Sequence, residues 1–372
     1  MQFFKQEAVF TVSLILAVVS CFFELPNAAY IDYIDFHVLS LLFCLMTVIG
    51  GFSGIGLFSR LGELLLSKVH SMRTLLFVLV SLCFFSSMFI TNDVALITFV
   101  PFTILILQMV DRGDKLIFLI VLETIAANLG SMLTPLGNPQ NLYLYTISGM
   151  RLTEFISVLL PYTLFSFVLL ILVILIGKNE PVAIRFVENK ENADVASIPK
   201  KKLFVYTALF LLCLLVVLHI VHFALAFGIV LISVLLIDRK VLREVDYTLL
   251  LTFVCFFVFI GNMKNIPAVH GLLSQIISGH EFASGVLASQ FISNVPAAVL
   301  LSGFTSELSP LLIGVNLGGL GTLIASLASL ISYKFYVKTP GAKTGRYLLV
   351  FTAYNMLFLA VLTLAFLCIG NT

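Results

Sequence analysis

Apolar stretches long enough to cross a bilayer recur along this chain from one end to the other. In a hydrocarbon medium each backbone N–H and C=O must be paired inside the protein, so runs of this length are read as helices. Of the 372 residues, 60% are hydrophobic and 11% charged, whereas charged residues make up about a quarter of an average soluble domain. The expected fold class is an all-α polytopic membrane protein. No basic cluster suggests a nucleic-acid partner, and the expected surroundings are the lipid bilayer. The first apolar run follows Lys5 without a small-residue cleavage site and is read as a retained helix. Six cysteines (Cys21, Cys44, Cys83, Cys213, Cys255, Cys368) stand singly with no CxxC pair, as small buried hydrophobes do.

The expected spans are 8–24, 36–57, 115–147 (broken), 153–177, 203–219, 222–237, 246–264, 309–335 (broken) and 345–369. Segments 74–110 and 282–305 read as re-entrant hairpins. The first arm of the second hairpin, 282–292, would be about 16 Å long as a helix, half of a hydrocarbon core of about 30 Å. The first hairpin is assigned by its likeness to the second.

Walking the spans sends 19 of the 21 Lys and Arg residues to one face and leaves Arg151 and Lys264 on the other. This asymmetry predicts a cytoplasmic N-terminus and an outside C-terminus. A short stretch holding Glu63, Lys68 and Arg73 is expected on the cytoplasmic interface.

One pattern occurs twice. Thr91-Asn92-Asp93 and Ser293-Asn294-Val295 each interrupt an apolar run, and each is followed by a second polar break, 128–135 and 316–322. Asp35 aligns with Asp246, Gly50 with Gly261 and Asn92 with Asn294, while Asn128, Gly130 and Thr134 align with Asn316, Gly318 and Thr322. Span 36–57 runs outside to inside and its partner 246–264 the reverse, so the repeats are expected to be inverted, as in alternating-access transporters. The expected organisation is a transmembrane repeat over 1–177, a charged cytoplasmic linker over 178–202 and a second repeat over 203–372.

A hairpin tip exposes helix ends, and the arm that starts there aims N–H groups and a positive dipole end at the cavity. Ser87, Thr91 and Asn92 in one half, and Ser289, Ser293 and Asn294 in the other, can bind a polar solute there. In the broken helices, Gly130, Gly137, Pro135 and Pro139 loosen the backbone around Asn128, Thr134, Asn138 and Asn141. Asn316, Gly318 and Thr322 are their counterparts. Intramembrane acids mark ion or proton paths, which makes Asp93 and Glu123 the candidate coupling residues. Asp35 and Asp246 open helices and are read as caps, and His37 as interfacial.

The segments Ser87–Asp93, Thr134–Asn141 and Ser289–Asn294 resemble motifs of the ion transporter superfamily, which includes arsenite permeases, citrate transporters and divalent anion:sodium symporters. The resemblance covers about 35–369. It implies a scaffold-plus-transport-domain fold, often a homodimer, with substrate and any Na⁺ or H⁺ held between the two tips. Ser87, Thr91, Asn92 and backbone near Gly130 would form one half-site. Ser289, Ser293, Asn294 and backbone near Gly318 would form the other, with Na⁺ near Asn92 and Asn294. The dicarboxylate symporters carry Ser-Asn-Thr at both tips, whereas this chain has Asp93 in one copy and Val295 in the other, closer to the arsenite permease branch.

The expected function is secondary active transport of a small anion or oxyanion, with no enzymatic activity and no cofactor beyond the coupling ion. A channel is the alternative. Gly51-Phe52-Ser53-Gly54 matches the GxSG of rhomboid-type serine proteases, but no membrane-embedded His accompanies Ser53 as a base, and no HExxH zinc motif is present. No nucleotide-binding loop accompanies the spans, although a separate ATPase subunit remains compatible with the sequence.

Overall fold

The computed structural model describes residues 8–27, 30–57, 60, 69, 71–177, 179–181, 199–218 and 220–369. Glu63, Lys68 and most of the expected linker lie outside them. Among the described residues the chain is helical, with one isolated bridge between Ser71 and Pro181 and no strand. Six helices are long and apolar enough to cross a membrane.

The N-terminal half contains α1 (Ala8–Ser20), α2 (Tyr30–Tyr33), α3 (Phe36–Gly54), α4 (Met72–Ile90), α5 (Asn92–Met109), α6 (Leu116–Ser131), α7 (Pro139–Ser148) and α8 (Leu152–Ile176). The C-terminal half contains α9 (Lys200–Val217), α10 (Phe223–Ile237), α11 (Tyr247–Lys264), α12 (Pro267–Ile277), α13 (Glu281–Ile292), α14 (Asn294–Ser302), α15 (Leu308–Leu317), α16 (Leu327–Val337) and α17 (Thr344–Ile369).

Local chemistry sets the helix starts. The Asp35 carboxylate accepts from Val38 N at 3.0 Å and that of Asp246 from Leu249 N at 2.8 Å, the expected caps. Asn138 caps α7 through Asn141 N at 2.9 Å, and Pro139 takes the first helical position, where its missing N–H costs nothing. His37 stacks on Phe223 with centroids 5.1 Å apart. Cys44, Cys83 and Cys213 are buried, and all six thiols are free.

The halves interlock. Helix α1 packs on α11, while α10 packs on α3, so the paired helices α3 and α11 each take a partner from the other half. Helices α8 and α17 also pack together. The Ser20 hydroxyl and the Tyr30 phenol hold Asn262 Nδ2 at 2.9 and 2.8 Å.

The two hairpins differ in arm length. The arms α13 and α14 have 12 and 9 residues, about 18 and 14 Å at 1.5 Å per residue. The arms α4 and α5 have 19 and 18 residues and are each long and apolar enough to cross on their own. The first hairpin therefore has arms of full-span length, because its apolar run is interrupted only at Thr91-Asn92-Asp93. Tip geometry, not arm length, joins the two.

Several cationic loops lie together. Arg112 pairs with Glu180 and Asp114, and Arg73 donates to the Leu175 and Gly177 carbonyls. The Arg112 guanidinium holds the Asp114 carboxyl below its usual range.

Candidate functional site

The site is built where four interruptions of helix meet. Thr91 (φ 69, ψ 150) ends α4 and starts α5; Ser293 (φ 73, ψ 154) ends α13 and starts α14. This backbone region is close to glycine-only and costs about 1–3 kcal/mol for other residues. The same strain at both tips of one chain marks them as equivalent.

Equivalence extends to the hydrogen bonds. Asn92 N donates to the Gly137 carbonyl at 3.0 Å, and Asn294 N to that of Ala325 at 2.9 Å. Asn92 Oδ1 accepts from Asp93 N and Asn294 Oδ1 from Val295 N, both at 3.0 Å. Thr134 Oγ1 donates to the Met88 carbonyl, and Thr322 Oγ1 to that of Gln290 at 3.0 Å. Each tip is thus fastened to the break in the helix that follows it, 132–138 after α6 and 318–326 after α15.

The breaks then cross between halves. Asn128 Oδ1 accepts from Asn92 Nδ2 and from Ser326 Oγ, each at 3.0 Å. Asn316 Oδ1 accepts from Asn138 Nδ2 at 3.2 Å, and its Nδ2 donates to Asn141 Oδ1 at 2.6 Å. Asn128 matches Asn316 and Asn138 matches Ser326, so the two cross-links are one interaction made twice. All these side chains are buried, where an unpaired amide would cost about 1–3 kcal/mol. Two helix N-termini, of α5 and α14, and two C-termini, of α6 and α15, converge on this crossing. Such ends bind anions and cations respectively.

The halves part company in how each break is tied down. In the first, Asn141 Nδ2 donates to the Met132 and Thr134 carbonyls at 2.8 and 3.1 Å. In the second, Gln290 Nε2 donates to the Gly318 and Leu320 carbonyls at 2.8 and 3.0 Å, and its Oε1 accepts from Thr322 N at 2.9 Å. Gln290 and Ser326 are structural members of the crossing that the sequence reading did not assign. A polar residue one turn before a tip, and a serine at the counterpart of Asn138, were the available signals.

Ser87 and Ser289 satisfy backbone groups of their own helices. Their hydroxyls donate back to the Phe84 and Gly285 carbonyls of their own helices at 2.9 and 2.7 Å. They sit one turn behind the tips, against Gly130 and Gly318. Asp93 lies in the first turn of α5, and its Oδ1 is buried without a hydrogen-bond partner. Glu123 is fully buried in α6, bonded to Thr103 Oγ1 at 2.5 Å, and does not join the crossing. Ser53 is exposed in the last turn of α3, with no hydrogen bond from its hydroxyl to a histidine among the described residues. Nor does any group of three or more His, Cys, Asp or Glu side chains form a metal site among them.

Long apolar helices enclosing a buried polar crossing define a membrane transport protein, and comparison with known proteins supplies the family. The family model described as "Citrate transporter" (CitMHS) matches residues 7–314, and the chain belongs to that family of transporters. It is 36% identical over 291 residues to "Uncharacterized transporter MJ0456" of Methanocaldococcus jannaschii, covering 78% of each chain. It is 32% identical over 308 residues to "Inner membrane protein YbiR" of Escherichia coli, covering 81% of this chain and 80% of that one. A shorter match, 34% over 128 residues, joins 34% of this chain to 26% of "Silicon efflux transporter LSI3" of Oryza sativa subsp. japonica.

Proposed function

We propose that this protein is a secondary active transporter that carries a small anion or oxyanion by alternating access, driven by H⁺ or Na⁺, with the solute held at the asparagine crossing. The observation that carries the reading is the paired tip: two non-glycine residues in the same costly backbone conformation, each fastened to a broken helix of its own half. Strain repeated in this way is kept where two halves share one binding task.

The donor set also bears on the solute. Amides, hydroxyls and helix ends recognise oxygen-rich solutes, and the side chains that form the crossing include no Lys or Arg. Asp93 at one tip opposes highly charged anions. A singly charged or protonated oxyacid therefore fits better than a polycarboxylate, in keeping with the relative named as a silicon efflux transporter. The proposed setting is the cytoplasmic membrane, with the cationic loops inside, inverted repeats, and a homodimer as the working assembly.

Uptake into proteoliposomes under imposed pH and Na⁺ gradients tests this reading. Accumulation above the external concentration is expected, and flux that only runs downhill would favour a channel. Asn92→Ala and Asn294→Ala are each expected to abolish uptake while leaving protein in the membrane. Near-normal transport in both would remove the crossing as the site.

A further inference from the structure

Away from the crossing lies a second buried polar cluster, centred on Glu123. Its carboxyl is fully buried in the middle of α6. Oε1 accepts the Thr103 hydroxyl of α5, and Oε2 has no partner. The Tyr347 hydroxyl of α17 is also buried, with Thr124 as its polar neighbour. The two groups lie within electrostatic reach of each other, as does Cys83 of α4. Beside them Thr124 Oγ1 donates to Ser332 Oγ of α16 at 2.7 Å.

A carboxyl kept only for structure would have both oxygens satisfied, since each unpaired buried group costs about 1–3 kcal/mol. Here one carboxyl oxygen is left over, and a buried phenol, a hydrogen-bond donor, lies within electrostatic reach of it. No basic group of the described residues is paired with the acid. The elements packed on α6 bring Cys83 from α4, Tyr333 and Tyr336 from α16 and Tyr347 from α17, while the turn at its N-terminus carries Asp114 and Lys115 two helical turns away. Helix α5 also carries Asp93, at the tip, and α8 carries Glu154 and Tyr162, while α15 carries no titratable side chain.

The cluster borders a cavity through two stacked rings. The Tyr347 ring stacks on Tyr336 with centroids 4.7 Å apart. Tyr336 lines a cavity of about 520 Å³ on the face of the cationic loops, along with Asp114, Lys343 and Arg346. The stacked tyrosines therefore connect the cavity wall with the surroundings of the acid.

We propose that Glu123 is a proton-exchanging carboxyl, loaded and emptied across the Tyr336–Tyr347 pair from this cavity, and distinct from Asp93 at the tip. The proton comes from water on the cavity side and forms the O–H bond at Oε2; on release that bond breaks and the proton returns to water. When Oε2 is emptied, the Tyr347 phenol supplies the hydrogen bond it needs. The assignment of this proton to coupled transport rests on the function proposed above; the titration itself does not.

Infrared difference spectroscopy of the reconstituted protein, stepped between acidic and alkaline buffer without solute, tests the proposal. A carboxylic C=O band that comes and goes with pH is expected in the wild type and in Asp93→Asn. In the Asp93→Asn background it is expected to vanish on Glu123→Gln and to shift in frequency on Tyr347→Phe. A band that survives Glu123→Gln in the Asp93→Asn background, or the lack of any titrating band in the wild type, would overturn it. Should Glu123→Gln fail to reach the membrane, Tyr347→Phe carries the test, and an unshifted band there would refute the role of the pair. A titrating band in a protein that moves no solute under any gradient would sink the transport reading and leave the proton site standing.

Discussion

Gly130 and Gly318 occupy equivalent places, yet the structure makes unequal demands of them, and alanine at each separates the demands. A Cβ on Gly130 would stand 2.0 Å from the Phe84 carbonyl oxygen and 2.7 Å from Ser87 Oγ. Real Cβ contacts essentially never fall below 3.0 Å, so the backbone of α4 must retreat by 3.0 − 2.0 = 1.0 Å. A carbonyl cannot rotate aside as a side chain can. The cost therefore belongs at the upper end of the overpacking range, about 3 kcal/mol. At Gly318 the nearest atoms are the Gly314 carbonyl oxygen and Ser289 Oγ, both at 2.8 Å, a shortfall of 3.0 − 2.8 = 0.2 Å. Small shifts accommodate that, for about 1 kcal/mol. Unfolding of the detergent-purified variants should rank Gly130→Ala about 2 kcal/mol below Gly318→Ala. A local reporter is at hand, because Cys83 is fully buried on α4, one residue before Phe84. In a background without the other five cysteines, Gly130→Ala should open Cys83 to a maleimide and Gly318→Ala should not. Equal destabilisation by both, or a protected Cys83 in a stable Gly130→Ala, would refute the claim that the α4–α6 approach is set by this glycine.

Other perturbations read other parts of the site. Ser293→Gly should raise stability by about 1 kcal/mol, since relief of about 1–3 kcal/mol of strain outweighs the backbone entropy of about 0.5–1 kcal/mol that glycine loses. A less stable variant would show that the tip is unstrained. Gln290→Met places the counterpart residue, that of Met88, in the second half. It should cost about 2 kcal/mol, because the Gly318 and Leu320 carbonyls and Thr322 N lose their partner, and an unchanged unfolding midpoint would deny that role. Asp93→Asn should raise uptake of doubly charged anions relative to singly charged ones, measured by competition in proteoliposomes. An unaltered ratio would mean that Asp93 does not face the solute.

The tips and breaks were legible because polar residues in a lipid-spanning run are costly enough to stand out, and because the two motifs recur in the same order, offset by 202 residues from Asn92 to Asn294 and by 188 from Asn128 to Asn316. The caps at Asp35 and Asp246 were legible for the same reason. What each polar group does was less so. Ser87 and Ser289 look like tip residues by composition, yet a serine inside a helix can satisfy itself on the carbonyl three or four residues back, and the facing glycines were the clue that these positions are packed. Asn141 and Gln290 perform the same task from opposite sides of the break, and no comparison of aligned positions relates them: the counterpart of Asn141 is Ser329 and that of Gln290 is Met88. A break needs its carbonyls satisfied, but any amide within reach will do, so the requirement is fixed in space and not in the chain. The same reasoning bears on the inequality of the two halves. With Asn92 Nδ2 committed to Asn128, Asn294 Nδ2 makes no hydrogen bond among the described residues and lies against Gly319, where an added Cβ would stand 2.9 Å away. The amide free to meet a solute is thus in the half whose tip carries Val295, while the acid is in the half whose amide is engaged. Solute contact and charge control would then fall on opposite tips. That division predicts that the milder Asn294→Gln raises the solute concentration needed for half-maximal uptake more than Asp93→Asn does.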